Sequence, residues 1–255
     1  MAEKEGGGES PGQGVPRAKT GISGLDSVLN GGVPQGNFVL LTGACGTGKT
    51  TIALEMLVNG AKDGEPGIFI TTTEPVERVI DNAGTFAFFE RALVGKKLHF
   101  VDSAELFEEL HISPDLTDKD MEAFLKWLTK TVKEKQAGRV VLDSLTGICQ
   151  RMSKSEHIRE FSDKLARTLS KAGVTTIATS ETRPGEMSYS SFGVEEAVAD
   201  GIILLGNADS RGYLLRTLQV VKMRGTVHSR ARYVIDLTSH GLIMVPMLKA
   251  SMREG

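Results

Sequence analysis

Short, wholly apolar runs alternate along this chain with longer stretches whose apolar residues recur every three or four positions. Phe38-Val39-Leu40-Leu41 is the first such run, and Ile52, Leu54, Leu57 and Val58 follow it at helical spacing in "TIALEMLVNGAK". "PGIFITTT" (66–73) reads as a second strand and "VERVIDNAGTF" as the helix behind it. "KLHFVD" (97–102), "RVVLD" (139–143) and "VTTIATSE" (174–181) read as three more strands. Between them, "DKDMEAFLKWLTKTVKEKQAG" places Met121, Phe124, Leu125 and Leu128 on one helical stripe, and a further helix runs through "REFSDKLARTLSKAG". A short helix is expected around Leu25–Leu29, ahead of a Gly-Gly turn that feeds the first strand. Continuously apolar strands alternating with helices predict an α/β fold, a mostly parallel twisted sheet covered by helices on both faces. Past "GIILL" the pattern is strand only: "YLLRTLQVVKMR", "ARYVIDLT" and "GLIMVP" predict a C-terminal antiparallel β extension.

Composition bounds the ends and the class. Residues 1–18 are glycine-rich, polar and without periodicity, which predicts a disordered tail; 19–248 form one domain and 249–255 a short stub. A net charge of −2 argues against a general polyanion binder. Cys45 and Cys149 are the only cysteines, which leaves no disulfide framework, and the five histidines show no zinc spacing. No run of about 18 apolar residues and no signal-peptide core are present, so the expectation is a cytoplasmic protein without a membrane partner.

"LTGACGTGKTT" carries the chemistry. Gly43, Ala44, Cys45, Gly46, Thr47, Gly48, Lys49 and Thr50 fit G-x-x-x-x-G-K-[ST] in full, with Thr51 next, between an apolar strand and a helix. In that context backbone N–H groups and the helix N-terminus cradle phosphates. Lys49 reaches the β- and γ-phosphates of a nucleoside triphosphate and the Thr50 hydroxyl ligates Mg²⁺. Asp143 ends an apolar strand and is expected to hold the same Mg²⁺ through water. Glu74, after the second strand, is the candidate base or water-orienting group for hydrolysis. Thr179-Ser180-Glu181 ends the fifth strand as a candidate γ-phosphate sensor. Cys45 inside the loop raises the question of oxidation, against its plainer reading as a small residue in a tight turn. Lys222 and Arg224, two apart in "VVKMRGTVH", project from one strand face. Their mutual repulsion is relieved either by a shared anion or by solvent at an edge strand.

"TGISGLDSVLNGGVPQGNFVLLTGACGTGKTT", "SSFGVEEAVADGIILL" and "VVKMRGTVHS" closely resemble, in order, one KaiC-type ATPase domain of the RecA/RadA superfamily. The resemblance implies a RecA-like P-loop NTPase core, ATP with Mg²⁺, and a homo-oligomeric ring or filament (a hexamer among the sizes left open) with ATP at subunit interfaces. It implies that Lys222 and Arg224 reach the γ-phosphate of the neighbouring subunit's ATP, with His228 nearby at the interface. Glu74 matches the second of an acidic pair whose first position is Thr73 here. A Ser-Thr pair phosphorylated in the clock protein's second domain is Glu196-Ala197 here, which speaks against autokinase activity.

Two functions follow from this reading: an oligomeric ATPase acting as a signalling or conformational switch, or a recombinase-like ATPase binding single-stranded DNA. For the latter, the loops after the fourth and fifth strands, "LTGICQRMSKSEHIR" and "TRPGEMSYSSFG", offer Arg151, Lys154, Arg159 and Arg183, with Tyr189 and Phe192 as stacking candidates. Glu156 and Glu186 dilute that charge, so nucleic acid is the less favoured partner.

Overall fold

The apolar runs become the centre of one sheet. The computed structural model describes residues 15–182 and 188–247. Its strands are Arg17–Ala18 (β1), Val33–Pro34 (β2), Phe38–Gly43 (β3), Gly67–Thr71 (β4), Leu98–Asp102 (β5), Arg139–Asp143 (β6), Thr175–Glu181 (β7), Gly201–Ser210 (β8), Tyr213–Met223 (β9), Arg232–Thr238 (β10) and Gly241–Pro246 (β11). β1 and β2 form a two-residue antiparallel ladder of their own. The other nine lie in the order β11-β10-β9-β8-β3-β7-β6-β4-β5. Pairing is parallel from β8 across to β5 and antiparallel from β8 out to β11, the α/β sheet with an antiparallel extension that the pattern predicts.

The helices are Leu25–Val28 (α1), Lys49–Lys62 (α2), Val76–Ala83 (α3), Ser103–Glu109 (α4), Asp118–Lys135 (α5), Leu145–Cys149 (α6), Ser155–Lys171 (α7) and Glu195–Val198 (α8). Successive strand residues point to opposite faces, so each central strand feeds two cores. Val39, Leu41, Phe69 and Val141 pack with residues of α1, α2 and α3. Phe38, Leu40, Ile70 and Leu142 pack on the other face with residues of α4, α5, α6 and α7. Among the described residues, no helix is long and apolar enough to cross a membrane.

Three helices depart from the pattern reading. The segment "LTGICQRMSKSEHIR", expected as a loop, is α6 and the first turn of α7. α4, α6 and α8 have seven, five and four residues, too few for a 3.6-residue period to declare itself. Capping specifies two of them instead: Asp102 accepts from the Ala104 N–H at 2.8 Å, and Ser144 from the Gly147 N–H at 3.0 Å. The expected boundary at 18/19 also shifts, because Arg17–Ala18 pair with Val33–Pro34 and Ala18 is buried. One small apolar residue in a polar stretch carries no periodic signal. The remainder of the expected tail up to residue 14, and the stub 249–255, lie outside the described residues.

Candidate functional site

Four parallel strands deliver their carboxyl ends to one crevice: β3 with Gly43, β4 with Thr71, β6 with Asp143 and β7 with Glu181. Such a crevice is the usual ligand site of an open α/β sheet. The glycine loop leaves β3 and enters α2 at Gly48, whose φ of +97° is the left-handed cap conformation that glycine adopts without strain. A Cβ there would also stand 2.5 Å from a Leu237 methyl. Lys49 is buried and folds back over the loop, its Nζ donating to the carbonyls of Gly43 (2.9 Å) and Ala44 (3.0 Å). Burial lowers its pKa, against the charges of Glu181, Cys45 and Asp143. Thr47 donates to the Ala44 carbonyl, while Cys45 and Gly46 are exposed at the loop tip.

Asp143 is buried with both carboxylate oxygens engaged. Thr50 Oγ1 donates to Oδ2 at 2.8 Å, and Thr179 Oγ1 donates to Oδ1. Burial pushes the carboxyl pKa up, and the two hydroxyls and Lys49 pull it back. Thr50 and Asp143 are hard oxygen donors side by side, which fits Mg²⁺, an ion that takes one or two protein oxygens and completes its shell with water and phosphate. Among the described residues no group of three or more His, Cys, Asp or Glu is placed to hold a metal ion by itself.

Glu74 lines the same cavity as Thr50, Thr51, Asp143 and Asn82. Its loop is pinned by Thr71, whose Oγ1 donates to the Glu74 carbonyl (2.7 Å) and accepts from the Glu74 N–H (3.2 Å). The carboxylate is half-exposed, 3.3 Å from Asn82 Nδ2 and 3.7 Å from Arg78 Nε. In the trio ending β7 the roles divide. Thr179 bonds Asp143, Ser180 Oγ accepts from the Ser191 N–H, and the Glu181 charge acts on Lys49.

Lys222, Arg224 and His228 do not join this cluster. Lys222 pairs with Ile202, which lies beside Leu40, and the Arg224 N–H bonds the carbonyl of Asp200, next to Phe38. Lys222 is therefore level with the middle of β3 and Arg224 with its amino end, roughly 10 Å and 16 Å along the strand from the loop at its carboxyl end. Lys222 Nζ donates to the Ala199 carbonyl at 2.6 Å, and Arg224 Nη1 meets Asp200 Oδ1 at 3.2 Å. These contacts offset the repulsion between the two cations; burial, then Arg224, lowers the Lys222 pKa. His228 belongs to the loop beyond, tied to α1 through Ser229 N–H and the Val28 carbonyl.

One residue near the loop escaped sequence reasoning. Arg216 Nε on β9 donates to the Gly46 carbonyl at 3.3 Å. Its signal was present: alternation puts Arg216 in phase with the buried Leu218 and Val220, where a cation is out of place. The DNA candidates fare differently. Arg151 is spent on the carbonyls of Pro114 and Ser113 and stacks 4.6 Å over Phe107. Phe192 packs against the core. Arg183 and Glu186 lie outside the described residues.

A family model described as "ATPase: KaiC" matches residues 18–249. A UPF0273 protein of Pyrococcus horikoshii is 38% identical over 238 residues, covering 90% of this chain and 94% of its own. The circadian clock oscillator protein KaiC of Parathermosynechococcus lividus is 32% identical over 237 residues; that match covers 92% of this chain but only 43% of the clock protein. Among solved structures, a KaiC-like protein from Pyrococcus horikoshii superposes with a TM-score of 0.78 at 35% identity, covering 91% of this chain and all of its own.

Proposed function

The chain belongs to the KaiC family of ATPases, and from that premise we propose that it binds ATP with Mg²⁺ in the crevice and hydrolyses it as a homo-oligomer, serving as a nucleotide-driven switch. The observation that carries this reading is the convergence of Lys49, Thr50, Asp143 and Glu74 on one crevice from three separate strand ends. The glycine loop takes the phosphates on its N–H groups, and Lys49 exchanges its two carbonyl partners for β- and γ-phosphate oxygens. Thr50 and Asp143 hold the Mg²⁺, which when bound neutralises charge building on the phosphates. Glu74 accepts the proton of the attacking water, and Asn82 orients its carboxylate.

Lys222 and Arg224 act on the neighbouring subunit's nucleotide. Their distance from their own loop supports this, since a lysine side chain does not span about 10 Å of strand, nor an arginine about 16 Å. On assembly they leave the Ala199 carbonyl and the Asp200 carboxylate for the neighbour's γ-phosphate. Glu196 and Ala197 argue against autophosphorylation, because neither offers a hydroxyl to accept a phosphoryl group and the Glu196 carboxylate already supplies negative charge. The test is phosphate release from Mg·ATP measured beside particle mass. Hydrolysis confined to assembled particles supports the reading; equal hydrolysis by a demonstrable monomer, or none in any state, overturns it.

A further inference from the structure

Glu55 lies on α2, beyond the phosphate loop and outside the chemistry described so far. It is 5% exposed within an apolar stretch of the helix, between Leu54 and Met56. Its Oε2 accepts the Leu242 N–H at 2.9 Å. Its Oε1 occupies the place of a side chain at Gly241, where a Cβ would stand 2.3 Å away and where φ is +119°. The carboxylate thus clasps the turn between β10 and β11.

That turn touches the nucleotide site twice. Leu237, at its start, lies against Gly48. Ser239 accepts the Ala87 N–H at 2.6 Å, next to Phe86 on the wall of the Glu74 cavity. Stability does not account for the clasp, because a buried carboxylate with one N–H partner is held less favourably than an apolar side chain of the same size. Burial raises its pKa to about 6.

We propose that Glu55 is a positioning residue for nucleotide binding, holding the β10–β11 turn so that Leu237 fixes the backbone of the phosphate loop at Gly48. The inference rests on the ATPase reading above. Glu55→Ala leaves the Leu242 N–H buried and unpaired and frees the turn. Glu55→Gln keeps an acceptor of the same length. Gly241→Ala dislodges the carboxylate from the other side.

Equilibrium titration with Mg·ATP should show affinity falling roughly tenfold in Glu55→Ala and Gly241→Ala, with kcat altered less than about twofold, and affinity restored in Glu55→Gln. Wild-type affinity in Glu55→Ala overturns the proposal. So does a Gln variant as weak as the Ala variant, or a loss confined to kcat. Amide exchange without nucleotide separates this from the ATPase reading. Leu242 should exchange slowly in wild type and Glu55→Gln and rapidly in the other two, with β3 protection unchanged. If wild type binds no ATP, the ATPase reading falls and the proposed binding role falls with it; slow Leu242 exchange would then leave the clasp as a purely structural contact.

Discussion

Two carboxylates face one crevice from different surroundings, which fit them to the different roles proposed for each. Asp143 is buried and saturated by two hydroxyls, which suits a fixed negative charge beside a cation. Glu74 is half-exposed with one amide and one guanidinium nearby, which suits a group that must meet water. Glu74→Gln should retain ATP binding and lose about 10²–10⁴ in hydrolysis, since an amide accepts no proton. Isothermal titration beside phosphate release checks this, and full activity in the Gln variant would transfer the role to Glu181. Lys49→Ala should lose binding itself. A second residue prediction concerns Glu55. Its folded pKa near 6 stands above its ordinary value of 4.5, so its share of stability is present below pH 4.5 and declines as pH rises through 6. Glu55→Gln keeps the Leu242 bond without the charge. Urea melts should find it more stable than wild type by about 1–2 kcal/mol at pH 8 and no more stable at pH 4.5. The loop, Thr50, Asp143 and Glu74 were legible because a motif and strand ends announce them. Glu55 was not, because it acts on a segment remote in sequence, Leu242 lying 187 residues away; for Arg216, alternation marks a cation out of place but not its partner Gly46, 170 residues away.

At the scale of elements, β9 reaches from the phosphate loop to the far end of the central strands. Arg216 near its start meets the phosphate loop, and Lys222 near its end caps the carbonyls of α8. The same strand therefore spans the distance between a site that receives a nucleotide and the pair proposed to serve another subunit's. Mixing two inactive variants, Lys49→Ala and Arg224→Ala, under conditions of subunit exchange tests this. At equal proportions about a quarter of interfaces join an intact loop to an intact arginine, so about a quarter of wild-type activity should return. No recovery despite proven exchange, or an active Arg224→Ala, removes the trans role. The long strands and helices were readable since their periods repeat; α4, α6 and α8 were not, being one or two turns fixed by local caps and by packing.

For the whole molecule, loop and arginine stand at opposite ends of one sheet, so on the proposed trans arrangement hydrolysis is a property of the assembly. Specific activity should rise with protein concentration and level off where light scattering shows assembly complete; a rate per chain independent of concentration across that range would contradict it. Incubation with γ-labelled ATP and intact-mass analysis should find no stoichiometric phosphate on Ser190 or Ser191.

The amino and carboxyl ends of β3 can also be considered as a counting problem. On the trans arrangement each chain brings one receptor, the loop, and one key, the Lys222–Arg224 pair, and no chain can turn its own lock. A two-fold pair that buries like against like completes none. An open run of n chains completes n − 1, with an idle receptor at one terminus and an idle key at the other. Closing that run adds a working site without adding a chain, so the final closure changes the catalytic yield per subunit even when every contact in it is identical to the rest.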